Sequence, residues 1–254
     1  MRLNQIQKFV AKLAVTLTLS GAPVFAQDGS SDSWKWGAEF YFWGASIGGS
    51  TTSGGDIDIG IDDLIENLKF GAMGTLAAQK DDWTLFADMI YLDVGDSSST
   101  TAMIGPIAFP VSASIDLKGF ITTAGAAYRV YEQRGTSIDA TGGIRYLWLD
   151  ATLDVSVPSI SRSVREEESG SNWDAVVGFR GKTDLNDKWY LTYYGDIGAG
   201  DSDLTWQALA AVNYRLERVD LSLGYRYLDW ELNDFGPFND LDLSGFFAGV
   251  KVPF

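Results

Sequence analysis

The sequence predicts an all-β chain that closes into a single antiparallel transmembrane β-barrel of about ten strands. The first observation behind this is the end of the chain. There Phe246, Ala248, Val250, Val252 and Phe254 form one apolar face, and Gly245, Phe247, Gly249 and Lys251 form the other. Period-two alternation marks a strand. A strand whose apolar face meets lipid is viable only in a closed barrel, where every backbone group is hydrogen-bonded without water. The second observation is that such patterning recurs in ten segments: residues 34–48, 68–79, 83–95, 113–131, 136–153, 172–184, 189–199, 204–216, 219–232 and 241–254. Each meets the ~9 to 11 residues a tilted membrane strand requires. The third is the alternation of connections. Lys80 to Asp82, Glu132 to Gly135, Leu185 to Lys188 and Glu217 to Arg218 are short and polar, and those between them are longer or more acidic. Barrels of this class put short turns in the periplasm and longer loops outside. Eight or twelve strands are the alternatives: Asp56 to Ile61 adds a strand if it pairs, and the residues before Asp116 can lengthen a hairpin above the membrane.

The start of the chain supplies the address. Arg2, Lys8 and Lys12 precede a short apolar stretch from Leu13 to Leu19, followed by Gly21, Ala22, Pro23, Val24, Phe25 and Ala26 before the polar Gln27. This reads as a secretory signal peptide cleaved after Ala26, because the run falls short of the ~18 apolar residues of a membrane anchor. Residues 27–254 are then the barrel. The chain has no cysteine, so an exported form has no disulfide framework and relies on packing and sheet closure. Nine Trp and 13% aromatic residues suit a barrel with aromatic girdles. Removing the three basic residues of the signal moves the formal charge from -15 to -18. Such acidity excludes nucleic acid as a partner, since phosphates are repelled, whereas divalent cations can bridge acidic loops to lipopolysaccharide phosphates.

Parity along each segment assigns the faces. In the first, Trp34, Trp36, Ala38, Phe40 and Phe42 go to lipid, and Lys35, Glu39 and Tyr41 go inward. Asp88 lies inward opposite Ala87, Met89 and Tyr91, and Arg129 lies inward as well. Ile144, Tyr146 and Trp148 face lipid, which turns Asp139, Thr141 and Arg145 to the lumen. Trp173, Ala175, Val177 and Phe179 face out, leaving Asp174, Arg180 and Lys182 inside. Asp196 follows from Tyr193 and Ile197. Gln207, Asn213, Arg215, Ser222 and Arg226 point inward against outward Trp206, Val212, Tyr214, Leu221, Leu223, Tyr225 and Tyr227.

The expected lumen therefore carries both signs of charge in near balance: Glu39, Asp88, Arg129, Asp139, Arg145, Asp174, Arg180, Asp196, Arg215 and Arg226. Counted from the nearest short turn, Asp88, Arg145, Arg180, Asp196 and Arg226 fall near mid-depth, where unpaired charge costs several kcal/mol. Arg–carboxylate pairing must satisfy them, either as a network that fills a narrow barrel or around a water-filled, weakly selective pore. Trp36, Trp83, Tyr146, Trp148, Trp173, Trp189, Trp206, Tyr225 and Tyr227 read as membrane girdles, because indole and phenol rings settle at the headgroup level. A sugar-binding platform is the sharper reading of the tryptophans and the weaker one. Trp43 turns inward by parity, and Trp230 lies near the outer rim.

Two stretches interrupt the pattern. Ser97 to Ile115 is free of charge and broken by Gly105, Pro106 and Pro110, which predicts a loop or hairpin tip. Between Asp56 and Leu68 the chain reads DIDIGIDDLIENL, where Leu64, Ile65 and Leu68 line one side of a helical turn capped by Asp62 or Asp63. A surface loop with a hydrophobic foot is favoured there over a lumen plug. The acidic spacing lacks the ligand order of an EF-hand, so no metal is expected.

Catalysis is not expected either. The chain contains no histidine, so a Ser nucleophile would need a Lys or carboxylate base, and no serine stands beside one in a recognisable motif. No cofactor is implied, and the usual transition-metal ligand is missing.

The run from Trp173 to Trp230 contains WDAVVGFRGKTDL, then WYLTYYGDIGAGDSDLTWQALAAVNYRL, then LSLGYRYLDW, and the earlier part contains DDLIENLKFGAMGTLAAQKDDWTLFADMIYLDV. These segments resemble a widespread group of proteobacterial outer-membrane β-barrel proteins, porin-like or OmpA-type. The final Phe254 resembles the C-terminal signature that the barrel assembly machinery reads in such proteins. The resemblance implies an outer-membrane location, contact with lipid and lipopolysaccharide, and passage through that machinery. It brings no catalytic residues. The expected function is a structural protein or small non-specific pore, with a closed barrel presenting acidic extracellular loops as the alternative.

Overall fold

Eleven strands and one short helix account for nearly all of the computed structural model, which describes residues 33–252 apart from 53, 105–106, 158–161 and 237. In chain order they are β1 (Lys35–Thr51), β2 (Asp56–Ile59), α1 (Ile61–Asn67), β3 (Leu68–Lys80), β4 (Trp83–Ile104), β5 (Ile107–Gln133), β6 (Thr136–Val157), β7 (Arg162–Asp184), β8 (Trp189–Gly200), β9 (Leu204–Arg215), β10 (Asp220–Phe235) and β11 (Phe238–Val252). Each of the ten ring strands pairs with its sequence neighbour in the ring, and β11 returns to β1 from Ala38↔Val252 to Thr51↔Phe238. The ring is a closed ten-stranded antiparallel barrel. The eleventh strand, β2, lies outside it and pairs with β1 over Ile47–Ser50, so Asp56 to Ile61 pairs in part without raising the ring to twelve.

The short connections close tightly. Arg134 (φ 51) and Gly135 (φ 78) join β5 to β6 with two left-handed residues, the backbone of a two-residue hairpin turn. Residues 1–26, the expected signal peptide, and the terminal Phe254 lie outside the described residues.

Ser97 to Ile115 forms the hairpin rather than the loop: β4 and β5 stay paired up to Ile104↔Ile107, with Pro110 opposite Thr101. Two expectations are corrected. β7 does not begin at residue 172, since it pairs with β6 from Arg162 onward. Strands β4 to β7 run for 22, 27, 22 and 23 residues, about twice what the bilayer requires, and so raise a four-stranded sheet beyond the end opposite the short turns. Ladder hydrogen bonds need no amphipathic pattern, which is why pairing continues where the lipid-facing alternation stops. The helix is also capped differently. Gly60 is its N-cap, and Asp62 and Asp63 sit in the first turn, where they complement the helix dipole.

Outside, the barrel is apolar: Trp36, Phe40, Phe70, Val177, Leu223 and Phe246 are all more than half exposed. A belt of that kind is stable only against hydrocarbon. Ala175 and Val177 point into it, whereas Val176 between them is 3% exposed and points inward. Val177→Arg is accordingly expected to cost ~2–4 kcal/mol in a reversible denaturant titration in lipid vesicles. Arg at Val176 is also costly, because that site is packed rather than wet; only a polar lumen would have made it mild. Ala175→Ser, which leaves the belt nearly intact, serves as the control.

Candidate functional site

The interior divides into three levels, built by the inward residues of all ten ring strands. At the short-turn end is a cavity of about 550 Å³, lined among others by Phe86, Arg129, Asp139, Arg180, Lys182 and Tyr194. Asp139 on β6 is its electrostatic centre. It accepts from Nε of Arg129 on β5 and, at 2.9 Å, from Nε of Arg180 on β7. Arg129 reaches out at 2.9 Å to the exposed Glu132 as well. On the other wall Lys251 lies 3.3 Å from Glu39, which also accepts a hydrogen bond from Ser222 at 2.6 Å. The Tyr190 hydroxyl donates to Asp220 at 2.5 Å.

Above the cavity two guanidinium groups cross the lumen. Arg226 donates to Asp88 at 2.8 Å, to Tyr41 at 2.9 Å and to Gln207 at 2.6 Å, while Tyr41 and Thr75 donate to the same carboxylate. Arg145 holds Asp196 with one Nη2 on both carboxylate oxygens, at 2.8 and 2.6 Å, and donates to Thr205 and Thr123. Neither Arg145 nor Asp196 has any accessible side-chain surface. Each guanidinium meets an oxygen on every nitrogen, as a buried cation requires.

The third level is hydrocarbon. Trp43, Ile90, Ile121, Leu147, Leu228, Trp230, Leu241 and Leu243 form a packed core in the half of the barrel away from the short turns. Leu147, Leu228 and Trp230 are wholly inaccessible. Arg145 stacks its guanidinium 5.9 Å from the Trp230 ring, and Arg226 lies 5.0 Å from that of Trp43, so the charged level is sealed on its outer side by aromatic faces.

Several residues grouped by parity do different work. Arg180 lines the cavity rather than the mid-depth crossing. Arg215 faces inward at the rim: its guanidinium lies 4.6 Å from the ring of the cavity-lining Tyr190 and is bonded to Asp184 and to the carbonyls of Asn186 and Asp187, where it ties down the turn between β7 and β8. Asp174 is buried but joins no cation among the described residues. It accepts from Asn172 at 2.6 Å and from the Ser202 amide and hydroxyl at 3.0 and 2.6 Å, and so fastens the β8–β9 connection. The girdle residues form cross-strand pairs at two heights: Trp83 with Tyr128 and Trp189 with Tyr214 near the short turns, Tyr146 with Trp173, Trp206 with Tyr227 and Tyr225 with Phe246 further out. Trp36 is 70% exposed, and Trp148 is partly covered.

The apolar core has a signal in the sequence: Ile90, Ile121, Leu147 and Leu228 occupy inward parity positions on the strands that carry Asp88, Arg129, Arg145 and Arg226.

No protein-family model matches the chain, and no curated protein matches it. Solved structures do. The chain is similar to Neisserial surface protein A, at 14% identity and a TM-score of 0.38, over 88% of this chain and 100% of that one. It is similar to the outer membrane protease OmpT of Escherichia coli, at 8% identity and a TM-score of 0.47, over 89% and 100%. A third is Ail, the attachment invasion locus protein of Yersinia pestis, at 13% identity and a TM-score of 0.38, over 88% and 99%. At these identities what the chain does has to come from its own residues.

Proposed function

We propose that the protein is a sealed, non-catalytic barrel of the bacterial outer membrane, and that it acts through the acidic surface it raises at and above the outer leaflet. The observation that carries this reading is the continuous packing of Arg145, Leu147, Leu228 and Trp230 across the interior, all without accessible surface. Water has no file to follow there, so the closed mount is favoured over the small pore.

The outer surface supplies the second half. Just beyond the stacked Trp206–Tyr227 pair, Asp229 lies directly across from Asp242, and Glu231 from Asp240. Like charges facing one another across a ladder are destabilising, and no described cation pairs with any of the four. No three acidic groups among the described residues converge on one point. A divalent cation held here would therefore complete its oxygen shell with water and lipopolysaccharide phosphate, as hard cations do.

Planar-bilayer recording of the purified protein tests the seal. Current is expected to stay at baseline, and stepwise conductance that Arg145→Ala or Arg180→Ala alters would overturn the reading. For the surface, calcium-dependent binding of lipopolysaccharide to the reconstituted barrel is expected to fall in the Asp240→Asn/Asp242→Asn variant. Binding that ignores both calcium and the substitutions would remove the cation from the account.

A further inference from the structure

Neighbouring strands of the ring are joined over ten or more residue pairs at every seam except that between β1 and β3, whose ladder runs only from Lys35↔Gln79 to Phe40↔Gly74. Phe40 and Gly74 lie five and six residues from the short-turn ends of their strands at Lys35 and Lys80. At ~3.3 Å per residue along tilted strands, the ladder ends near mid-bilayer. Beyond it Tyr41–Ser46 pair only with β11 and Leu68–Met73 only with β4; β1 regains a second neighbour at Ile47, opposite Ile59 at the end of β2. The wall has a slot in the half that faces outer-leaflet hydrocarbon.

Helix α1 fills that slot. On the lipid side the Ile61 side chain occupies the space over Gly44. On the inner side Leu64 is buried and borders, with Trp43, Met73, Leu92 and Leu243, an apolar void of about 20 Å³. The Trp43 amide, lacking a ladder partner on this side, donates to the Met73 sulfur at 3.2 Å, a weak acceptor. Closure at this seam thus rests on side-chain packing. The wedge itself has little intrinsic stability: seven residues fall well below the length at which a helix persists alone, and its N-cap Gly60 makes no side-chain capping bond.

We infer that α1 is a displaceable wedge over a lateral binding site, and that this site takes one alkyl chain from an outer-leaflet lipid. The slot opens between the lipid-facing Phe42 and Phe70 and leads to the apolar core, so its surroundings are hydrocarbon on both sides. At that depth the molecules in contact with it are acyl chains. The void is bordered by apolar residues alone, whereas Asp62, Asp63 and Glu66 of α1 are exposed and so mark the polar edge of the slot, where it meets the headgroups. This is a route through the wall and goes beyond the axial seal; conductance does not report on it.

The chain has no cysteine, so Gly44→Cys/Ile61→Cys introduces a single disulfide that pins the wedge. The full barrel is reconstituted in lipid vesicles containing hexadecanoic acid with a mid-chain diazirine, irradiated, and the labelled residues are mapped. The wild type and the reduced variant are expected to be labelled at Trp43, Leu92 or Leu243 as well as at Phe42 and Phe70, and the oxidised variant at Phe42 and Phe70 alone. Labelling confined to Phe42 and Phe70 in the wild type, or inner labelling indifferent to the disulfide, overturns the inference. Should the double variant fail to fold, Leu64→Ala loosens the wedge and is expected to raise inner labelling above wild type; no rise is equally fatal.

Discussion

Replacing Asp196 by Ala is expected to destabilise the folded barrel by about 3–5 kcal/mol, the range for removing one partner of a buried ion pair. The carboxylate accepts two hydrogen bonds from Arg145 and one from Tyr194, in a place where neither charged side chain has accessible surface. Without it Arg145 keeps only the hydroxyls of Thr205 and Thr123, which are neutral. Most of the cost is the stranded guanidinium rather than the lost attraction, so Arg145→Met/Asp196→Leu should recover much of the stability. Reversible denaturant titration in lipid vesicles, followed by tryptophan emission, measures all three. A loss below ~1 kcal/mol for Asp196→Ala is the value of a solvated surface pair; it would mean that water reaches mid-depth, and the sealed interior would fall with it.

The same residues show what a sequence can and cannot disclose about such a barrel. Alternation is local geometry, so parity alone turns Trp43 and Arg145 inward and Trp173, Val177 and Phe246 outward, and the structure has each of them there; Trp230, expected near the outer rim, lies instead in the buried core. Pairing between inward groups is not local. Arg145 and Asp174 are ladder neighbours on β6 and β7, yet Arg145 takes Asp196 from β8, because the curvature of the ring brings that carboxylate under the guanidinium while Asp174 is engaged by Ser202. Arg215 illustrates the limit at a strand end: parity points it inward, over the Tyr190 ring, but its polar partners are Asp184 and two carbonyls of the adjoining turn, which parity does not reveal. Strand length above the membrane was hidden for a different reason. A strand that continues past the membrane has no lipid to face, so apolar alternation no longer marks it, and the ladder of β4 and β5 leaves no compositional trace. The short β1–β3 seam depends on where β2 and α1 fold back, a tertiary event that no residue pattern announces.

Trp230→Ala is expected to cost about 3–5 kcal/mol, since it empties the largest fully buried side chain of the interior and the surrounding ring of strands cannot collapse onto the space. Trp230→Phe separates size from polarity. The indole nitrogen of Trp230 is buried and has no protein partner, whereas that of Trp43 donates to the Gly245 carbonyl at 3.1 Å. An unpartnered buried donor is a penalty of ~1–3 kcal/mol that the phenyl ring removes, offsetting most of the apolar area lost. Trp43→Phe has no such compensation and leaves a carbonyl short of a donor. The expected order of destabilisation is therefore Trp230→Ala, then Trp43→Phe, then Trp230→Phe, in the same vesicle titration. Were Trp230→Phe as damaging as Trp230→Ala, the indole N–H would have to be serving a partner, and the outer half of the barrel would be wetter than its hydrocarbon lining implies.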